Sequence, residues 1–160
     1  MKWTLIFSVF LLVACSNSKQ IQNQKSVESK QDLLTEDSLS LSFERTLCFG
    51  ACPAYKITIK NDGTCHYEGF KFTDRIGKFT AVITKSQFQE ILNEAEKVGY
   101  FNMKDKYDAP VTDVPSVIIM IAGPDGPKEI LDRFDAPEEL NNFEKFIDAI
   151  LLTLDWKSLD

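Results

Sequence analysis

From Ser38 to Leu47 the chain alternates, with Leu39, Leu41 and Phe43 on one side and Ser40, Ser42 and Glu44 on the other. Period two is the pattern of a half-buried strand. Two further alternating runs, Ala54 to Lys60 and Thr64 to Phe70, flank Asn61-Asp62-Gly63, which is turn chemistry for a hairpin. The pattern also selects the register. A three-residue loop with Gly63 left-handed sets Ile59 against Cys65. It groups Tyr55, Ile57, Ile59, Cys65 and Tyr67 on one face and Lys56, Thr58, Lys60, Thr64, His66 and Glu68 on the other. A two-residue turn would slip the pairing by one and mix the two sets. Gly69 breaks the alternation, and a bulge or bend is the usual meaning of a strand glycine. Asp74 to Gly77 reads as a turn and Lys78 to Ile83 as a fourth strand, with Phe79, Ala81 and Ile83 on one side.

The period then changes. Thr84 and Gln87 have capping-box spacing, and Phe88, Ile91, Leu92, Ala95 and Val98 recur at helical intervals up to a stop at Gly99. Tyr100 to Pro115 reads as one long loop. Val117 to Ala122 is continuously apolar, the pattern of a central strand covered on both faces. Gly123 to Gly126 turns the chain and Lys128 to Phe134 returns. Asp135-Ala136-Pro137-Glu138 opens a last helix with a stripe of Leu140, Phe143, Ile147, Ile150 and Leu154, widened by Phe146 and Leu151, and Trp156 is expected to fold back on the core. The order ββββαββα predicts an α+β domain, a mainly antiparallel sheet with two helices packed on one face.

The first residues have a different character. Lys2 is followed by an apolar run, Trp3 to Ala14, interrupted only by Thr4 and Ser8. It is shorter than the about 20 residues a membrane-spanning helix needs, and fits a signal-peptide core. Leu12-Val13-Ala14-Cys15 resembles the lipobox of bacterial lipoproteins. That resemblance implies cleavage before Cys15 and acylation of Cys15, with two or more chains giving stable anchoring; Ser16 implies sorting to the outer membrane. Residues 1–14 are thus expected to be a signal peptide, 15–37 a lipidated N-terminus with a polar tether, and 38–160 a single domain on the periplasmic face. A flexible tether of about 23 residues would hold that domain on the order of 25 Å from the bilayer. The formal net charge of the 160-residue chain is −6. An acidic chain of this kind is not expected to bind nucleic acid and is repelled by acidic lipid surfaces.

With Cys15 acylated, three cysteines remain: Cys48, Cys52 and Cys65. An odd count outside the cytoplasm is most simply one disulfide and one free thiol. Cys48-Phe49-Gly50-Ala51-Cys52-Pro53 reads as a knuckle in which Gly50 lets the chain double back and a Cys48–Cys52 disulfide closes a small loop before the hairpin. Cys65 reads as a buried small hydrophobe and His66 as a solvent-face residue. The Cys-x-x-x-Cys-Pro spacing resembles copper chaperones of the thioredoxin-like group, in which the motif leads into a helix; here it leads into a strand. A zinc site from Cys48, Cys52, Cys65 and His66 is opposed by geometry, since adjacent strand residues point to opposite faces. No motif calls for a cofactor. In the long loop Asp105, Asp108 and Asp113 read as a calcium or catalytic carboxylate cluster, without the spacing of a calcium hand, or as a solvated acidic loop; Tyr107, Asp108, Thr112 and Asp113 are its candidate ligand residues.

Taken together, Cys48-x-Gly50-x-Cys52-Pro53-x-Tyr55, Asp62-Gly63, Tyr67-x-Gly69, Tyr107 and Thr112-Asp113-x-Pro115 resemble a domain-of-unknown-function family of bacterial lipoproteins and envelope proteins. The resemblance covers about Leu39 to Trp156 and implies an extracytoplasmic single domain without an assigned activity; Cys65 is outside its pattern. The expected function is a membrane-tethered binding module for an envelope protein or glycan. The alternatives are an envelope hydrolase or metal-dependent enzyme using the 100–115 loop, and copper or thiol-redox chemistry at Cys48 and Cys52.

Overall fold

The computed structural model describes residues 39–159; the expected signal peptide, Cys15 and the tether lie outside them. Eight longer elements make up the domain: β1 (Leu39–Arg45), β2 (Ala54–Lys60), β3 (Thr64–Lys71), β4 (Gly77–Val82), α1 (Lys85–Lys97), β6 (Val117–Gly123), β7 (Gly126–Asp132) and α2 (Glu138–Leu151). Two short strands, β5 (Lys106–Tyr107) and β8 (Lys157–Ser158), extend the edges. The result is an α+β fold with one sheet in the order β5-β7-β6-β1-β2-β3-β4-β8. All its pairs are antiparallel except β5 with β7.

The β2–β3 register is the one that side-chain alternation selects, with Ile59 opposite Cys65 and Ile57 opposite Tyr67. Gly63 takes φ 86° and its N–H donates to the Lys60 carbonyl at 3.0 Å, so three residues make the turn. The ladder shifts next to Gly69: Tyr55 faces Gly69 while Ala54 faces Lys71, a bulge that leaves Phe70 unpaired. A Cβ on Gly69 would stand 1.8 Å from the Arg75 carbonyl oxygen, so this position is closed to every other residue by the backbone of the β3–β4 turn.

One face of the sheet supplies Leu41, Phe43, Ile57, Ile59, Cys65, Tyr67, Ala81, Ile119, Ile121 and Ile130 to a buried cluster. Ile91 and Ala95 of α1 and Leu140, Phe143, Ile147 and Leu151 of α2 belong to that same cluster. Each such aliphatic or aromatic side chain contributes about 1.5–3 kcal/mol on full burial. Rings step across the strands, Tyr55 stacked on Tyr67 at 5.5 Å and Tyr67 edge-on to Phe79 at 5.9 Å. Trp156 folds back as expected, 5.4 Å from Tyr67, with its Nε1–H donating to the Leu151 carbonyl at 2.9 Å. The Thr84–Gln87 capping box forms, and Gly99 ends the helical stretch at φ 73°.

Four local expectations need correction. Leu39 is exposed and Ser40 buried, because a bulge between Leu39 and Leu41 reverses the alternation there, and the Ser40 hydroxyl donates to the Asn61 side chain. The continuous apolar run of β6 is not covered equally on both faces: Val117, Ile119 and Ile121 are buried while Ile118 and Met120 are half-buried. Tyr100 to Pro115 is more ordered than a loop, with a 3-10 turn at Tyr100–Asn102 and β5 inside it. Tyr100 is fully buried and its hydroxyl donates to the Ile119 carbonyl at 2.8 Å. Gly50 is not among the positive-φ glycines of the described residues.

Candidate functional site

The antiparallel register carries one row of residues across the core face at the far end of β1: Asp132, Val117, Arg45, Tyr55, Gly69 and Gly77 are successive partners. Three of the six are ionisable or phenolic. Each sits where its strand's alternation calls for an apolar residue, Arg45 after Leu41 and Phe43, Asp132 after Ile130, and Tyr55 before Ile57. Above them α2 presents Glu144 and Asp148, one helical turn apart and therefore on one face.

The Arg45 guanidinium binds Oδ2 of Asp148 twice, from Nε at 2.9 Å and from Nη2 at 2.6 Å. The Tyr55 hydroxyl donates to the other oxygen, Oδ1. Asp148 is thus held by a charge-assisted fork and a phenol, the stronger kind of hydrogen bond. Burial opposes the Arg45 charge, but the Asp148 carboxylate more than offsets it and its pKa is raised. Burial, reinforced by Asp148, pushes the Tyr55 phenol up, so it stays protonated as a donor. Arg45 also lies over the Phe43 ring, 5.3 Å from its centroid.

Next to this trio lies a pair of carboxyls, Glu144 and Asp132. Glu144 is 5% exposed and its Oε1 has no hydrogen-bond partner. Burial first, and the neighbouring Asp132 charge second, push the Glu144 carboxyl up to about 8. Asp132 is also raised by burial, with the Glu144 hydrogen bond and Arg45 opposing. Two neighbouring carboxyls in a water-poor site disfavour each other's charge, and Glu144, the more deeply buried, is the one whose neutral form is favoured more strongly.

Arg45, Tyr55 and Asp148 open onto a recess of about 220 Å³, whose other walls are Pro53, Phe72, Thr73, Asp74 and Leu152. Pro53 comes from the knuckle. Cys48 and Cys52 are joined by a disulfide with Cα atoms 5.7 Å apart, and Phe49 inside the closed loop is 88% exposed. Cys52 leads through Pro53 into β2, a strand. Leu47, Phe70, Phe72, Ile76 and Phe134 are also exposed at this end of the sheet, and Phe72 takes the left-handed φ of 56°.

The sequence-predicted loop reaches the same end. Thr46 N–H donates to the Ser116 carbonyl at 2.9 Å and Ser116 N–H to Thr46 Oγ1 at 2.7 Å, tying the knuckle to the residues just before β6. Tyr107 is paired beside Asp132, and its carbonyl accepts from Arg133 N–H at 2.9 Å. Asp108 lies 2.8 Å from Lys106 Nζ and 3.9 Å from Arg133 Nε; the Lys106 hydrogen bond holds its carboxyl below the ordinary range. A wide hollow of about 560 Å³ is lined by Lys106, Asp108, Ala109, Pro110, Val111 and Arg133. Thr112 and Asp113 are exposed and do not line it, and Asp113 has a left-handed φ of 67°. Tyr107 and Asp108 therefore lie at the same end of the sheet as the knuckle, separated from β1 by β7 and β6, and Thr112 and Asp113 are not among the residues that line the Asp108 hollow.

Cys65 is buried and free, and burial raises its thiol to about 11. His66 is exposed on the opposite sheet face. Sequence reasoning missed Arg45, Asp132, Glu144 and Asp148. The signal was present: charged residues occupy core-parity positions in β1 and β7, and two of them, four residues apart, interrupt the apolar stripe of α2.

Comparison with known proteins adds one match. A family model described as a domain of unknown function, DUF6438, covers residues 39–151. No curated protein matches the chain. No helix among the described residues is long and apolar enough to cross a membrane.

Proposed function

For a chain that belongs to the DUF6438 family over residues 39–151, we propose an outer-membrane lipoprotein whose periplasmic domain is a binding module for an envelope protein or glycan. Residues 1–14 serve as the signal peptide, acylated Cys15 as the anchor, and 15–37 as the tether. The lipobox-like Leu12-Val13-Ala14-Cys15 and the polar run after it support this reading. Both helices are read as packed on the sheet's core face, supported by the single cluster that their buried residues share with it.

The observation that carries the binding reading is the convergence at one end of the sheet. The disulfide-closed knuckle with exposed Phe49, the recess over Arg45 and Tyr55, and the Asp108 hollow all lie there. The chain enters the sheet at Leu39, at the other end of the seven-residue β1, about 20 Å away at strand rise. A rigid aromatic on a closed loop loses little entropy when it is covered, which favours it as a binding anchor. The disulfide is read as a structural brace, because Cys52 leads into a strand rather than the helix N-terminus that would favour a reactive thiolate.

Two experiments test the reading. Metabolic labelling with an alkynyl fatty acid should mark the wild-type chain in the outer-membrane fraction and not Cys15→Ala; an unlabelled cytosolic wild type refutes the anchor. A photo-crosslinking amino acid at position 49 or 72 should give a discrete adduct with an envelope protein or glycan, and none at exposed Val82 at the opposite end of the sheet. Equal adducts at all three positions, or none, refute the binding face.

A further inference from the structure

We propose that Glu144 and Asp132 are a one-proton latch: a single shared proton keeps the Glu144 side of α2 seated on the sheet, and its loss draws Arg45 off Asp148 and loosens the wall of the recess. The latch lies beneath the recess and operates whether or not the recess takes a partner.

The register places Asp132 and Arg45 on either side of Val117, and α2 sets Glu144 one turn from the Asp148 that Arg45 binds. Glu144 is almost completely buried and one of its oxygens lacks any partner, so its charged form has no compensation of its own. A buried uncompensated carboxylate is costly, and neutralisation is the usual escape. The charged groups acting on it come from every side: Asp132 from β7, Arg45 from β1 and Asp148 from its own helix. Asp132 and Asp148 repel a Glu144 carboxylate, and Arg45 alone attracts it. Arg45 is already committed to Asp148 through Nε and Nη2. Ionised Glu144 therefore competes with Asp148 for one guanidinium. Whatever Arg45 yields to Glu144 is withdrawn from Asp148, whose other oxygen takes the Tyr55 hydroxyl. Arg45, Tyr55 and Asp148 are three of the residues that line the recess, so the competition is felt there.

The direction in pH follows from where the proton is held. In the unfolded chain Glu144 loses its proton near the ordinary value of 4.5, and in the folded chain near 8. Between those limits the folded state binds one proton more than the unfolded state. Stability is then fully present below the lower limit, declines as pH rises, and levels off above the upper one. One proton of difference corresponds to a tenfold fall in the folding equilibrium constant per pH unit.

The test uses the folded chain with two independent readouts. First, the carboxyl carbon of Glu144 is followed by NMR from pH 4 to 10. A midpoint above 7, moving down in Asp132→Asn, supports the latch; a midpoint near 4.5 overturns it. This measurement on the wild type does not depend on any variant folding. Second, urea unfolding is measured from pH 5 to 9. The wild type should lose up to tenfold in folding constant per unit between pH 5 and 8, and Glu144→Gln should remove that slope. Amide exchange around residue 148, corrected for its intrinsic pH dependence, should rise above pH 8 in the wild type and stay flat in Glu144→Gln. Equal pH slopes and equal exchange in the two proteins overturn the proposal.

Discussion

Replacing Asp148 with alanine should expose how strongly α2 is fastened to the sheet. The residue accepts both Arg45 bonds on one oxygen and the Tyr55 hydroxyl on the other. Removing one partner of a buried ion pair typically costs about 3–5 kcal/mol. Here the side chains of Arg45 and Asp148 are 24% and 21% exposed, so water partly replaces the lost carboxylate and the ionic share falls to about 2–3 kcal/mol. Tyr55 is 2% exposed, and its orphaned hydroxyl adds about 1 kcal/mol. The sum for Asp148→Ala is about 3–4 kcal/mol. Tyr55→Phe alone should cost about 1.5 kcal/mol, since it removes a hydrogen bond to a charged acceptor. In the Asp148→Ala background the same substitution should be neutral or slightly stabilising, because the phenylalanine carries no orphaned donor. A double-mutant cycle by urea unfolding at pH 7 reads the coupling directly. If the two single effects simply add, Tyr55 and Asp148 do not act as a unit and the site described above is misread.

Further measurements probe other parts of the fold. Gly69→Ala places a methyl group 1.8 Å from a backbone oxygen of Arg75; it should destabilise by more than about 3 kcal/mol or prevent folding, whereas Gly126→Ala, with open space around its Cβ but φ 120°, should cost only the backbone strain, about 1–3 kcal/mol by chemical denaturation. Changing Cys48 and Cys52 together to serine releases a loop of sequence separation 4, worth about 2 kcal/mol on the chain-entropy model; reductant should lower the wild type by the same amount and leave the double variant unchanged. The Cys65 thiol, buried and raised to about 11, should resist a thiol reagent at pH 8 in the native state and react fully in denaturant; rapid native labelling of Cys65 would contradict its burial.

Alternation and helical spacing were enough to read the longer strands, both helices, the β2–β3 register and the return of Trp156, because each depends on which side chains must leave water together. Spacing of the cysteines likewise anticipated the Cys48–Cys52 bridge, since residues that close can meet in few other ways. Local pattern failed where a partner distant in sequence decides the outcome. The bulge that turns Ser40 inward is held by Asn61, and β5 exists because the Asp105 carbonyl meets Leu131 N–H and the Tyr107 carbonyl meets Arg133 N–H.

The site shows the same division. Arg45, Asp132, Glu144 and Asp148 are visible in the sequence only as charges at positions that should be apolar, four separate irregularities in three elements. What the chain determined by itself is the sheet-forming pattern and the sites of those irregularities, since periodicity is a property of neighbours along the backbone. Only the tertiary structure decided that they meet, with Arg45 bound to Asp148 and Glu144 left one oxygen short of a partner. Electrostatic energy depends on distance through space and on exclusion of water, and neither exists until the strands and α2 have come together.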